Sequence, residues 1–261
     1  MTQRKAVNAP QEEPPRLSLV IPAYNEAMRI ESTLVHVLRY LENQPYASEV
    51  IVVDDGSRDA TFGVVRNMRT PNRTPLRVHQ LPENRGKGAA VKKGMLDLAR
   101  GEYRVFYDAD ASTPIEELEK IWPLFEAGAN IVIGSRSLPD SQVEVHQAPY
   151  REFMGRTFNH ILKLLRLTEF ADTQCGFKAF TAAAAGAVFP RQTLDRFSFD
   201  VEILYIAGRD GLAIRELPVR WINSPASRVN PFSDSPRMFW DLILIHYRNW
   251  QGRYGARKGV Q

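Results

Sequence analysis

Five short apolar runs, separated by stretches of helical periodicity, organise the first half of the chain. Leu17–Ile21 alternates and branches like a strand and meets Pro22, which is expected to stop it. Ile30, Leu34, Val37, Leu38 and Leu41 then recur at the spacing of one helix face. Glu49–Val53 is the second strand, and Gly56–Asp59 a turn into a helix through Val64, Val65 and Met68. Leu76–Leu81 is the third strand, and 88–98 a helix stopped at Gly101. Tyr103–Tyr107 is the fourth strand, followed by Ile115, Leu118, Ile121, Trp122 and Phe125 on one helical face and a stop at Gly128. Asn130–Ile133 is the fifth.

The alternation weakens beyond Gly134. A polar loop over 138–149 leads to a helix over 150–166 and a compact mixed segment at 173–180. A helix at 199–207, a strand at 217–222, a Ser/Pro/Asn-rich loop at 223–235 and a last apolar helix at 236–250 complete the chain. Strand–helix alternation of this kind predicts an α/β fold, a Rossmann-like, mostly parallel sheet with helices on both faces. Ligands of such sheets bind beyond the carboxyl ends of the strands.

Those ends carry acids. Asp108-Ala109-Asp110 follows the fourth strand, and Asp54-Asp55 follows the second. Two carboxylates one residue apart offer hard oxygen ligands to Mg²⁺ or Mn²⁺. The bland alternative is an acidic loop capping the helix after Pro114. Asp54 and Asp55 suit the N–H of a base or ribose hydroxyls, and Asp-Asp-Gly-Ser is equally good turn chemistry. Asn84-Arg85-Gly86-Lys87-Gly88 opens a helix with two glycines and two cations, which suits an anion, but neither standard phosphate fingerprint is met and, taken alone, a plain glycine-rich helix entry is the better reading. Asp200 and Glu202, two apart on a helix, diverge, so only one of them is placed to face the site as a candidate general base, and a solvated or capping acid is an equal alternative. The cations Arg136, Arg151, Arg156, Lys178, Arg220 and Arg228 are scattered through the second half.

Composition narrows the class. With 261 residues, 44% hydrophobic and 25% charged, the chain is an ordinary globular protein with room for a large core. A net charge of +4 is too mild to imply nucleic acid. The single cysteine, Cys175, excludes an internal disulfide and a multi-cysteine zinc site. Residues 1–15 have no apolar signal segment and are expected to be a disordered arm. Residues 16–250 are expected to form one domain, a nucleotide half (16–136) and an acceptor half (137–250), with a basic tail at 251–261. No run reaches the roughly 20 residues of a spanning helix. The 236–250 helix has two readings: a buried closing helix, or an interfacial one with Trp240, Tyr247 and Trp250 among headgroups and Arg248, Arg253, Arg257 and Lys258 on anionic lipid.

As an ordered set, Ile21-Pro-Ala-Tyr-Asn-Glu26, Val53-Asp-Asp-Gly-Ser57, Asn84–Gly88, Asp108-Ala-Asp110 and Gly134-Ser-Arg136 resemble the family 2 glycosyltransferases of GT-A fold. Asp172–Lys178, Phe199–Tyr205 and Glu216–Trp221 look like one branch, the dolichyl-phosphate β-glucosyltransferases and related polyprenyl-phosphate sugar synthases. The resemblance implies inverting transfer of a hexose, glucose first, from UDP-glucose to a polyprenyl phosphate on the cytoplasmic membrane face. By position, Pro22, Ala23, Tyr24, Glu26 and Asp55 would contact base and ribose, with Asp54 and Lys87 beside them. Asp108 and Asp110 would serve ribose and metal, and Arg136 would meet a phosphate. Arg228 would lie in a mobile acceptor loop, with Arg151 and Lys178 as further cations for the acceptor phosphate. Two departures stand out: Ser112 replaces a Gln metal ligand found in mannosyl-phosphate synthases, and the N-terminal anchor of the eukaryotic enzymes is missing. A soluble-acceptor transferase using Asp200 as base and a catalytically silent nucleotide-sugar binder are the alternatives.

Overall fold

The computed structural model describes residues 13–70, 73–144, 149–222 and 231–255, without the side chains of 149–153, 156 and 231–236. Seven strands form one sheet in the order β3-β2-β1-β4-β7-β5-β8. They are β1 (Leu17–Ala23), β2 (Ser48–Asp54), β3 (Leu76–Gln80), β4 (Tyr103–Tyr107), β5 (Ile131–Ser135), β7 (Phe177–Thr181) and β8 (Ile214–Pro218). Only β7 runs antiparallel, wedged between β4 and β5. A two-stranded parallel ribbon, β6 (Gln142–Val143) with β9 (Arg220–Trp221), lies beside it.

Side-chain alternation explains the layers. In β1, Leu17, Leu19 and Ile21 face one core together with Ile30, Leu34, Val37, Leu38 and Leu41 of α1 (Ile30–Glu42). Val20 faces the other core, with Ile51, Val53, Phe106 and the buried face of α7 (Phe199–Arg209). Each fully buried branched or aromatic side chain contributes about 1.5–3 kcal/mol, so both faces must be covered. The central strands β1 and β2 are buried at every residue, as a sheet with helices on both sides requires.

Several elements differ from the sequence expectation: the strand expected over 217–222 is β8, ending at Pro218, followed by β9, the loop expected over 138–149 holds β6, and the last helix begins at Pro231 rather than 236. β1 continues through Pro22, because its pairing with β4 ends at Val20 and no ladder bond from that side is lost. The helix expected over 88–98 is α3 (Lys87–Lys92) continued by a π-helical stretch, Lys93–Leu98. The helix after Pro114 opens as a 3₁₀ stretch, Ile115–Ile121, before α4 (Trp122–Glu126). The other helices are α2 (Thr61–Arg66), α5 (Pro149–Leu164), α6 (Ala182–Val188) and α8 (Pro231–Trp250).

Candidate active site

β1, β2 and β4 end at one rim, and their following loops are bound to each other. After β1, Asn25 takes a left-handed backbone (φ 54°) and accepts from the Arg58 N–H at 2.9 Å. The Glu26 N–H donates to the Thr61 hydroxyl at 2.7 Å. Glu26 pairs with Arg29, whose guanidinium is held in its charged form, first by that hydrogen bond and then by the fields of Asp110 and Asp108. Pro22 and Ala23 are buried and Tyr24 is half-buried.

The two acids at the end of β2, Asp54 within it and Asp55 just beyond, both shape loops. Asp54 is fully buried, accepting from the Ser57 N–H at 3.0 Å, the Ser57 hydroxyl and the Gln80 amide at 2.9 Å. Asp55 accepts from the Asn84 amide at 2.8 Å, the Arg85 N–H at 2.9 Å and the Gly86 N–H at 2.8 Å. Burial pushes the Asp55 carboxyl above its usual range, against those N–H donors. This clamp sets the entry to α3 and so aims Lys87. Gly86 takes φ 117°, and a Cβ there would lie 2.4 Å from the Asp195 carbonyl, which reserves the position for glycine.

Lys87 and the acids after β4 meet. Lys87 Nζ lies 2.6 Å from Asp108 Oδ1, and Arg136 and Asp200 are close enough to feel the Asp108 charge. Burial opposes the Lys87 charge, but Asp108, Asp200 and Asp110 together raise its pKa. Asp110 accepts from the Ser112 N–H at 3.0 Å; burial first, and then Asp108, push its carboxyl upward. The loop between the two acids is pinned from α1, where the Thr33 hydroxyl donates to the Ala109 carbonyl at 2.8 Å.

Asp110, pushed upward by burial and by the neighbouring Asp108 charge, would be relieved of both by a divalent cation, which the two carboxylates fit. Among the described residues no group of three or more His, Cys, Asp and Glu side chains gathers as a metal cage. The pair therefore fits a cation that takes its remaining ligands from a diphosphate and water, the usual manner of Mg²⁺.

The second half supplies the floor of the site. The Arg136 guanidinium makes a bidentate pair with Asp172, at 2.6 and 2.9 Å, and lies 5.4 Å from the Trp221 ring centre. Burial alone would raise the Asp172 carboxyl, but Arg136 holds it down at about 2. Lys178 and Asp200 lie below. Lys178 is fully buried; its ammonium donates to the Cys175 carbonyl at 2.7 Å and to Asp200 Oδ1 at 2.5 Å, with the Phe106 ring 5.1 Å away. Burial pushes the Asp200 carboxyl upward, and Lys178 and Lys87 pull it back. Glu202 points elsewhere, as the helical spacing expects. It accepts from the Thr193 and Leu194 N–H groups at 2.8 and 2.7 Å and from the Tyr254 hydroxyl at 2.6 Å.

The structure thus gathers Lys87, Asp108, Asp110 and the Pro22–Glu26 loop at one rim, with Arg136 beside them. It places Asp54 inside its own turn, and Lys178 beneath the rim rather than open to an acceptor. Arg228 and the Arg151 side chain lie outside the described residues. Sequence reasoning missed two residues. Asp172 orients Arg136, and Gly176 lies so close to Asp108 that a Cβ would sit 1.8 Å from Oδ2. A glycine between Cys175 and Phe177 signalled a close approach, but not of what.

The family model for glycosyl transferase family 2 matches residues 18–189, and the chain belongs to that family. It is a glycosyltransferase. It is 35% identical over 244 residues to the dolichyl-phosphate beta-glucosyltransferase of Dictyostelium discoideum, covering 89% of this chain and 74% of that protein. The enzyme of the same name from Homo sapiens is 34% identical over 254 residues, covering 92% and 77%. Among solved structures, glucosyl-3-phosphoglycerate synthase from Mycobacterium tuberculosis, in complex with Mn²⁺, UDP-glucose and phosphoglyceric acid, superposes with a TM-score of 0.65. Its identity is 20%, covering 93% of this chain and 80% of that one, so the likeness is of fold: the sheet is that of the GT-A glycosyltransferases.

Proposed function

We propose that this enzyme transfers glucose from UDP-glucose to the phosphate of a dolichol-type polyprenol, with inversion at the anomeric carbon. The observation that carries the proposal is the meeting of Asp108, Asp110 and Lys87 at the carboxyl rim of the sheet. Its acceptor half is supported by the names of the relatives, which span nine-tenths of the chain.

In this reading Pro22, Ala23, Tyr24 and Glu26 form the wall for uracil and ribose, and Asp55 holds that wall to the Asn84–Gly86 loop. Asp108 and Asp110 would hold Mg²⁺ or Mn²⁺ with the donor, and the ion would neutralise the departing diphosphate. Lys87 then stands where it can move from Asp108 to a phosphate oxygen. Arg136, fixed by Asp172, adds fixed positive charge beside the reacting centre. Arg151 and Arg228 remain candidates for the acceptor phosphate.

The acceptor chemistry suits this arrangement. A phosphomonoester has its second pKa near about 6, so at neutral pH it is mostly a dianion and attacks without losing a proton. No base is required. Asp200, with Oδ1 engaged by buried Lys178, then acts by positioning charge from beneath. The remaining work is alignment of nucleophile and leaving group. In this reading the enzyme also lies at a membrane surface, as a peripheral protein of the cytoplasmic face. No helix among the described residues is long and apolar enough to cross one.

The test is a panel of UDP- and GDP-sugars against a polyprenyl phosphate and against phosphoglycerate, with and without Mn²⁺, scored by extraction of label into organic solvent. Metal-dependent transfer from UDP-glucose into the lipid phase is expected. Label that stays with a water-soluble acceptor, or a preferred GDP donor, would overturn the proposal.

A further inference from the structure

Helix α8 has two apolar faces, and among the described residues only one of them is covered. Met238, Leu242 and Ile245 pack into the core. Phe239, Trp240, Ile243, Tyr247 and Trp250 are 48%, 70%, 43%, 51% and 81% exposed. At about 100° per residue these five fall within an arc of roughly 100°, opposite the buried face. From Phe239 to Trp250 every exposed side chain is apolar or aromatic. A surface helix ordinarily shows charge there. The patch extends to α5, because the His246 ring lies 2.9 Å from the Leu165 carbonyl and Leu164 beside it is 75% exposed.

We infer that this stripe is the surface on which the enzyme lies in the headgroup layer of an anionic bilayer, with the axis of α8 in the membrane plane. Two features favour lipid over a protein partner. The stripe contains two Trp and one Tyr, whose rings combine an apolar body with a polar tip and settle at lipid–water boundaries. Exposed Arg237 and Arg253 flank its two ends, where they meet anionic headgroups. The helix also carries Arg237, Asp241 and Arg248, so it can lie on a membrane but not cross it. The inference rests on the reading of a polyprenyl phosphate acceptor, whose chain must enter the site from a bilayer.

The opposite side of α8 reaches the donor side of the molecule. Arg248 donates to the Thr193 hydroxyl at 2.5 Å, and Glu202 holds Thr193 and Leu194. Two residues on, the Asp195 carbonyl lies against Gly86 and accepts from the Ala89 N–H at 3.1 Å. Docking through α8 would therefore bring the Lys87 loop to a fixed height above the lipid.

The experiment is flotation with vesicles of phosphatidylcholine containing roughly a third phosphatidylserine. Wild type is compared with the triple substitution Trp240→Ser, Ile243→Ser, Trp250→Ser, all at exposed positions. Wild type should float. The triple variant should lose about tenfold or more of its vesicle partition, given the apolar area removed. It should keep its UDP affinity and its transfer to a short, water-soluble isoprenyl phosphate. Wild type remaining unbound, or the triple variant floating equally well, overturns the inference. So does a concentration-dependent wild-type dimer that the triple variant abolishes, since a second copy would then cover the stripe. If wild type floats and the variant does not, yet neither glucosylates any polyprenyl phosphate, the docking surface stands and the acceptor reading fails.

Discussion

Replacing Asp200 by Asn separates a positioning role from a general-base role. The pair it disrupts is deeply buried: Lys178 has no exposed surface, Asp200 is 4% exposed, and the contact is 2.5 Å. Without the carboxylate, the Lys178 ammonium keeps the Cys175 carbonyl at 2.7 Å and the face of Phe106. Breaking a buried pair from one side costs about 3–5 kcal/mol, because the surviving charge is left uncompensated. The amide retains an oxygen acceptor, so the expected loss is about 3 kcal/mol. At ~2–4 °C per kcal/mol, that lowers the melting temperature by roughly 6–12 °C. Adding Lys178→Met to Asp200→Asn should restore part of this loss, since the orphaned charge is gone. Stability is measured by urea unfolding, and transfer to a polyprenyl phosphate is measured well below both transitions. Transfer per folded molecule should stay within about tenfold of wild type, as removing a general base ordinarily costs more. A variant of near-native stability whose transfer falls more than about a thousandfold would refute the reasoning, and would put a hydroxyl acceptor and a base in its place.

Asp110→Ala should abolish nearly all transfer and the Mn²⁺-dependent part of UDP binding seen by calorimetry; retained metal-dependent binding would count against the pair as the metal site. Gly176→Ala puts a methyl group 1.8 Å from Asp108 Oδ2. It should cost about 1–3 kcal/mol of stability and weaken UDP–Mn²⁺ binding more than Gly155→Ala, whose Cβ meets nothing within 4 Å. Asp172 titrates at about 2 in the folded protein, below the ordinary ~4 of an unfolded carboxylate, so its stabilising effect is present at neutral pH and disappears as pH falls through that window. The stability gap between wild type and Asp172→Asn should be about 2–3 kcal/mol at pH 7 and should close between about pH 4 and 2. A gap independent of pH would show that Arg136 does not depress that carboxyl.

The first half of the fold was legible because its contacts are local in pattern. Strands of period two alternate with helices of period near 3.6, and a parallel sheet places every carboxyl end on one rim. Asp108 and Asp110 could therefore be located from the run Tyr103–Tyr107 alone. What stayed hidden depended on partners distant in sequence. Nothing in Phe177–Thr181 says that it enters the sheet antiparallel between β4 and β5, and that placement is what buries Lys178. Asp55 looked like a ligand contact or a turn residue; its clamp on Asn84–Gly86 spans about thirty residues. Pro22 looked like a strand terminator because the early end of β4 pairing is invisible from β1. The Arg136–Asp172 pair joins residues 36 apart, and neither side chain carries a local signature of the other.

The insertion of β7 has a consequence for biogenesis. Asp108 donates its N–H to the Gly176 carbonyl, and β4 takes β7 as the neighbour that separates it from β5. A ribosome that has released residues 16–136 has produced every acid of the rim but not the strand that closes one flank of β4. Until about residue 181 emerges, that flank is an open hydrogen-bonding edge, the kind of edge that recruits other chains. In the N-terminal portion alone that edge would stay open, and the flank of the rim closes only after the polypeptide has doubled back on itself.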